Sequence, residues 1–318
     1  MTADERGGAR PGMVVASGPF AAPERALEVL RAQGVRLPVV ISSPHSGRDY
    51  PADFVADSRL DRKTLRRSED SFVDDLFGDA PGAGVPLLKA LFPRAYCDPN
   101  REPYELDPTM FAETLPDYVN TRSPRVAGGL GTIARVVSVG QEIHSRKLTF
   151  AEAVARIESC WRPYHAALSG LLGETLQEFG MAVLLDCHSM PSIGGWGDRD
   201  RGRHRPDVVL GNRHGTACAD LVIDTVERVL QRAGLKVARN VPYAGGFNTQ
   251  HYGRPAQGVH ALQIEINRAL YMDEQRFVRN SGFSTLRGTM HRLVLELGRT
   301  ALAEMVPDAA GDLSNAAE

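Results

Sequence analysis

The sequence predicts an α/β fold, and three observations carry that expectation. Short apolar runs, Val39 to Ile41 and Ala182 to Leu185, are too brief for helices and read as strands buried on both faces. Longer segments with helical spacing end on glycine: one runs from Thr149 toward Phe179 and stops at Gly180, another from Ala217 to Ala233 and stops at Gly234. Histidines arrive where strands stop, His45 after Ile41 and His188 after Leu185. In open α/β sheets the carboxyl ends of strands are where sites are built.

A chain of 318 residues suffices for one large α/β domain. Its 37 Lys and Arg against 39 Asp and Glu leave a formal charge of -2, which argues against a nucleic-acid or membrane-surface partner. The N-terminal MTADERGGARPG has no apolar stretch behind it, so no signal peptide is expected, and no run nears the roughly 18 apolar residues of a membrane helix. Four scattered cysteines read as reduced thiols of a cytoplasmic protein. Cys187 sits beside His188, but strand alternation points the two to opposite faces. We expect one catalytic domain over residues 13–305, with disordered tails at 1–12 and 306–318.

Along the chain, Pro23 to Gln33 carries Ala26, Leu27, Val29 and Leu30 at helical spacing and reads as a short helix closed by Gly34. In Ser68 to Phe77, Phe72, Val73, Leu76 and Phe77 make one helical face, placing Glu69 and Asp70 near its N-terminus, where capping alone would explain them. Pro86 to Ala90 and Arg94 to Cys97 read as strands, the second leading into Asp98-Pro-Asn-Arg101. Asn100 and Arg101 there can fork onto a carboxylate, or make a surface ion pair. Glu102 to Arg146 is irregular and arginine-bearing. Thr149-x-x-Glu152 matches a capping box, and Pro163 should kink the helix it opens.

Further on, Val208 to Leu210 reads as a strand and Tyr243 to Pro255 as a polar, glycine-rich loop suited to covering a substrate. His260 to Asn267 is a strand in which Glu265 alternates with Ile264 and Ile266. A carboxylate there is costly unless paired or used; a salt-bridged edge strand is the plain alternative. Ser284 to Ala303 closes the chain as a helix. His204, His214 and His291 read as loop or helix-face residues.

His45 and His188 with a carboxylate such as Asp70 would make the two-histidine, one-carboxylate set of catalytic zinc hydrolases, which leaves a position for water. Glu265 could take a proton from that water, and Arg101 could stabilise an oxyanion or anchor a carboxylate. With these ligands iron or manganese could replace zinc.

SPHSG at 43–47, EDSFVDDLF at 69–77, DPNR at 98–101, LDCHS at 185–189 and HYGRP...GVHALQIEIN at 251–267 together resemble the N-formylglutamate amidohydrolase (formylglutamate deformylase) family, over residues 36–298. The resemblance implies a mixed, twisted eight-stranded sheet flanked by helices, zinc-carboxypeptidase-like (phosphorylase/hydrolase-like) and related to aspartoacylase. It implies one Zn2+ per chain and hydrolysis of an N-acyl amino acid to formate and glutamate, in histidine catabolism. A carboxypeptidase-like peptidase or amidase acting on a peptide or cell-wall fragment is the alternative. Carried over by position, His45, His188 and Asp70 become metal ligands, with Glu69 and Asp49 as rivals for the third place. Glu265 becomes the general base, Asn100 and Arg101 the substrate-holding pair, and Tyr252 and Arg254 part of the specificity loop. Gln250 stands where family members tend to carry arginine, so the side-chain carboxylate of the substrate needs another cation, from Arg122, Arg125 or Arg135. The expected partner is a small anionic N-acyl amino acid.

Overall fold

The computed structural model describes residues 25–306 apart from 138, 139, 196, 197 and 199. The tails expected at 1–12 and 306–318 lie outside the described residues, save Val306. Seven strands, β1 (Leu27–Leu30), β2 (Val39–Ser43), β3 (Leu87–Ala90), β4 (Ala182–Met190), β5 (Val208–Gly211), β6 (Val237–Arg239) and β7 (Val259–Asn267), form a mixed sheet ordered β1-β3-β2-β4-β7-β5-β6. The core strands β3, β2, β4 and β7 run parallel; β1 and the β5–β6 pair run against their neighbours. The principal helices are α1 (Val73–Leu76), α2 (Phe150–Arg156), α3 (Arg162–Phe179), α4 (Asp220–Arg232), α5 (Phe247–Tyr252) and α6 (Phe283–Met305).

Strand alternation divides the apolar residues between two faces. Ile41, Val183, Leu185, Cys187, Leu262 and Ile264 pack with α4 and α6, while Val40, Leu184 and Ala261 pack with Tyr164 and Leu168 of α3. Burial on both faces is why these strands read as continuous apolar runs.

Among the described residues the sheet has seven strands, not the eight that the resemblance implied. Arg94 to Cys97 is a turn instead of a strand, because the amides of Tyr96 and Cys97 both donate back to Pro93 O at 2.9 and 3.3 Å. The helix expected over Pro23 to Gln33 is replaced by β1, which pairs with β3 from Leu27↔Ala90 to Leu30↔Leu87. Over so short a span its apolar spacing suits either period, and the waiting edge of β3 decides.

Other expectations hold with sharper boundaries. Thr149 and Glu152 form the reciprocal capping box of α2. Between α2 and α3 the chain makes a π-helical turn, Ile157–Trp161, directly before Pro163, whose missing N–H and bulky ring cannot continue an α-helical ladder. Gly180, at φ +71, ends α3. No helix among the described residues is long and apolar enough to cross a membrane. All four cysteines are buried and unpaired, and Cys187 lies in the core on the face opposite to His188.

Candidate active site and metal centre

β4 runs through His188 to Met190 instead of stopping at Leu185. In its parallel register with β7, Asp186 stands beside Gln263 and His188 beside Glu265, while Ser42 of β2 flanks Asp186. Register partners point to the same face, so the face that holds Leu184 and Ala261 against α3 turns polar further along the same strands. Glu265 thus belongs to a central strand, between β4 and β5, and the edge-strand alternative does not hold.

His45, in the loop after β2, and Asp70, in the loop before α1, close onto this row. His45 Nδ1 and His188 Nδ1 are 3.1 Å apart, and Asp70 Oδ2 lies 3.2 and 3.1 Å from them. Each outer nitrogen meets a second carboxylate: His45 Nε2 is 2.7 Å from Asp98 Oδ1, and His188 Nε2 is 2.8 Å from Asp186 Oδ2. Those carboxylates accept N–H bonds and so fix both tautomers, leaving two Nδ1 lone pairs and a carboxylate oxygen aimed at one point. Three acceptors so placed repel one another unless a cation lies among them.

The spacing suits such an ion, since tetrahedral bonds of about 2.0–2.1 Å set ligand atoms roughly 3.3 Å apart. Without a metal, a proton must fill that role. Burial disfavours charge on His188, yet Asp186, Asp70 and Glu265 together outweigh it and raise the imidazole to about 10. Burial likewise opposes charge on Asp70, but the two histidines outweigh it and hold the carboxyl well below its usual range.

The surrounding residues orient this triangle. Asp70 Oδ1 accepts from Arg268 Nη2 at 3.0 Å and from Ser189 Oγ at 3.3 Å, which turns Oδ2 inward. Asp98 also takes Arg94 Nη2 at 2.7 Å. Asp186 accepts from Ser42 Oγ at 2.8 Å and Asn248 Nδ2 at 3.1 Å. Partners that orient a metal ligand typically contribute 10- to 100-fold to affinity, so Asp98→Asn should weaken by about that factor the affinity for any divalent metal that the triangle takes up. Competition with a chelating dye measures it, and an unchanged affinity would remove Asp98 from this role.

Glu265 is buried in the wall of a cavity of about 560 Å³ that opens over the triangle. That volume falls in the range of small-molecule sites, roughly 300–1,000 Å³. Gly246 N–H donates to Gln263 Oε1 at 2.7 Å, and Gln263 Nε2 donates to Glu265 Oε1 at 2.9 Å, so one carboxylate oxygen is held and the other left for the cavity. Burial pushes Glu265 up to about 7, against the opposing pull of His188.

The remaining candidates fall unequally. Glu69 is taken up by Tyr50, Arg66 and Ser71, and Asp49 is exposed, so neither joins the triangle. Asn100 lines the cavity, its Oδ1 accepting from Asn248 N–H at 2.8 Å. Arg101 also lines it, yet its Nε donates to Leu130 O and its Nη1 to Asn100 O at 2.8 and 2.6 Å. Tyr252 is not in the cavity wall: its hydroxyl donates to His165 Nδ1 at 2.8 Å, since His165 Nε2 serves Pro99 O. Arg254 and Gln250 line an adjoining cavity instead. Residues 247–252 form α5 where a loop was expected. That helix shows no apolar period, being held instead by Asn248 to Asn100 and Asp186 and by Phe247 packed near Trp161. Asp98, Arg94, Gln263, Arg268 and Arg213 were not among the candidates, although Asp98 stands in the DPNR motif and Gln263 in GVHALQIEIN.

The sequence profile described as N-formylglutamate amidohydrolase matches residues 37–272, a stretch that contains His45, Asp70, His188 and Glu265. An N-formylglutamate deformylase of Pseudomonas aeruginosa is 31% identical over 253 residues, covering 78% of this chain and 87% of the relative. Its counterpart in Pseudomonas putida is 29% identical over 252 residues, covering 78% and 86%. The crystal structure of an N-formylglutamate amidohydrolase from Ralstonia eutropha superposes with a TM-score of 0.80 at 39% identity, over 86% of this chain and 97% of that one. A gene product of Agrobacterium tumefaciens shares the fold at TM-score 0.63 and 19% identity, covering 86% and 95%. Sheet, site and profile coincide, and the chain belongs to the N-formylglutamate amidohydrolase family.

Proposed function

We propose that this chain is a metal-dependent amidohydrolase that cleaves N-formyl-L-glutamate, or a closely related N-acyl amino acid, to formate and glutamate. The observation that carries this reading is the convergence of His45 Nδ1, His188 Nδ1 and Asp70 Oδ2 in a cavity that also holds buried Glu265. The names of the deformylase relatives supply the substrate. A single Zn2+ in that triangle would supply a Lewis acid and lower the pKa of a water toward 7.

Glu265 is the proton carrier. Its free oxygen takes a proton from the attacking water as the water oxygen bonds to the formyl carbon, then passes it to the nitrogen as the C–N bond breaks. An elevated pKa suits both halves of that transfer. Arg94 spends one nitrogen on Asp98 and lines the cavity beside the triangle, so it can meet negative charge building on the formyl oxygen. Arg101, with two donors turned inward, serves chiefly to hold Asn100 and the substrate-binding wall. The enclosing β4–β7 row keeps the carboxylate dry, which sustains its basicity.

Formate release from N-formyl-L-glutamate by the purified chain tests the reading. Release should vanish on chelation and return with zinc. No release from any N-formyl amino acid, with hydrolysis of short peptides instead, would replace it with the peptidase alternative.

A further inference from the structure

Six residues, Asn100, Arg101, Arg125, Arg213, Gly245 and Gly246, line both the site cavity and the adjoining cavity of about 410 Å³. Resting on the deformylase reading, we propose that Arg213 and Arg125 on this shared wall form an anion subsite. It takes the side-chain carboxylate of a dicarboxylic N-acyl amino acid and so selects glutamate over its neutral analogues.

The charge balance of the cavity points there. Of its arginines, Arg94 and Arg101 face Asp98 at 2.7 and 3.8 Å, and Arg268 faces Asp70 at 3.0 Å. Arg125, Arg213 and Arg67 make no ion pair among the described residues. Of the two further acids of the cavity wall, Asp198 is 2.7 Å from Arg205, and Glu265, on the sheet beside the triangle, accepts from Gln263 Nε2 at 2.9 Å. Glu102 and Glu105 line the adjoining cavity only, and each already accepts a hydrogen bond, from Asn120 and Ser123. A half-buried guanidinium without a counter-ion favours an incoming carboxylate, which its fork can grip through two N–H donors.

Arg213 is also held in place before any ligand arrives. Its backbone N–H donates to Ala244 O at 2.8 Å, and its Nη1 reaches Gly245 O at 3.4 Å. Gly245 has φ +117, a conformation that side chains disfavour, and a Cβ there would crowd Thr249 at 3.0 Å and Arg213 Cδ at 3.2 Å. On the other side, a Cβ at Gly246 would meet Asn100 at 2.5 Å. The 245–246 backbone therefore sits between Asn100 and Arg213 and sets their separation. Arg125, in the last turn of the short helix Pro124–Ala127, is exposed and supplies the outer side of the subsite. Gln250 lines the adjoining cavity and not the site cavity.

The test compares the zinc-loaded full chain with Arg213→Gln, Arg125→Gln and Arg67→Gln. Turnover is followed with N-formyl-L-glutamate and N-formyl-L-glutamine, and calorimetry follows binding of L-glutamate and L-glutamine. Arg213→Gln should lower kcat/KM for the acid about 10- to 100-fold while leaving the value for the amide within about twofold, which also certifies an intact fold. Arg125→Gln should do the same to a smaller extent, and Arg67→Gln should keep the acid-to-amide ratio. An unchanged ratio in both Arg213→Gln and Arg125→Gln, or its loss in Arg67→Gln, overturns the subsite while leaving the deformylase reading intact. A parent chain that turns over neither compound, yet binds L-glutamate over L-glutamine until Arg213 is replaced, upholds the subsite and discards that reading. No preference for the acid in turnover or binding overturns the subsite.

Discussion

His188→Ala should abolish metal retention and turnover together. The Nδ1 it removes lies 3.1 Å from both other ligand atoms, and no neighbouring imidazole can take its place. His165 is committed to Tyr252 and Pro99, while His204 and His214 are exposed. Loss of an orienting partner already costs about 10- to 100-fold in affinity, and loss of a ligand should cost more than about 100-fold. The checks are metal content after gel filtration, formate release and the thermal melt. A variant that kept one metal per chain and its activity would disprove the centre; one that lost both but melted normally would establish it. The alanine also frees Asp186, but Ser42 and Asn248 still satisfy that carboxylate, so the sheet should survive.

Glu265→Gln separates chemistry from binding. The amide keeps the volume of the side chain and an oxygen to accept from Gln263 Nε2, but cannot carry the proton. We expect kcat to fall by about 10²- to 10⁴-fold, the range for a positioned acid or base, with KM little altered and zinc still bound. Full activity in this variant would pass the proton to another group and leave Glu265 a structural acid. Loss of zinc would instead make it a ligand.

The strands and helices with strong periods were readable in advance because their patterns are local. Val39 to Ile41, Ala182 to Leu185 and His260 to Asn267 each carry their own apolar signal, and Thr149 with Glu152 marks a helix start within four residues. The triangle of His45, Asp70 and His188 was readable for a different reason: the residue types and strand-end positions restrict the chemistry, though nothing local says that they meet. What escaped is set by tertiary packing. β1 takes its form from β3, and α5 from Asn100 and Asp186. Arg268 and Gln263 are ordinary polar residues until the fold places them against Asp70 and Glu265. Arg213 gives no signal either, since its value comes from two glycines thirty-odd residues further on.

The side-by-side register of His188 and Glu265 has a consequence for how this chain can vary. Side chains on a strand alternate, so sliding β4 by one position against β7 would turn His188 into the apolar core and bring Cys187 toward the cavity. The same slip would damage stability and chemistry at once, since charge would be buried where Leu185 and Ile264 now pack. Insertions and deletions are therefore barred from Ala182–Met190 and Val259–Asn267, whereas loops away from the cavity are free to change length. Relatives or engineered variants of this chain should differ in loops and keep these two spans in frame.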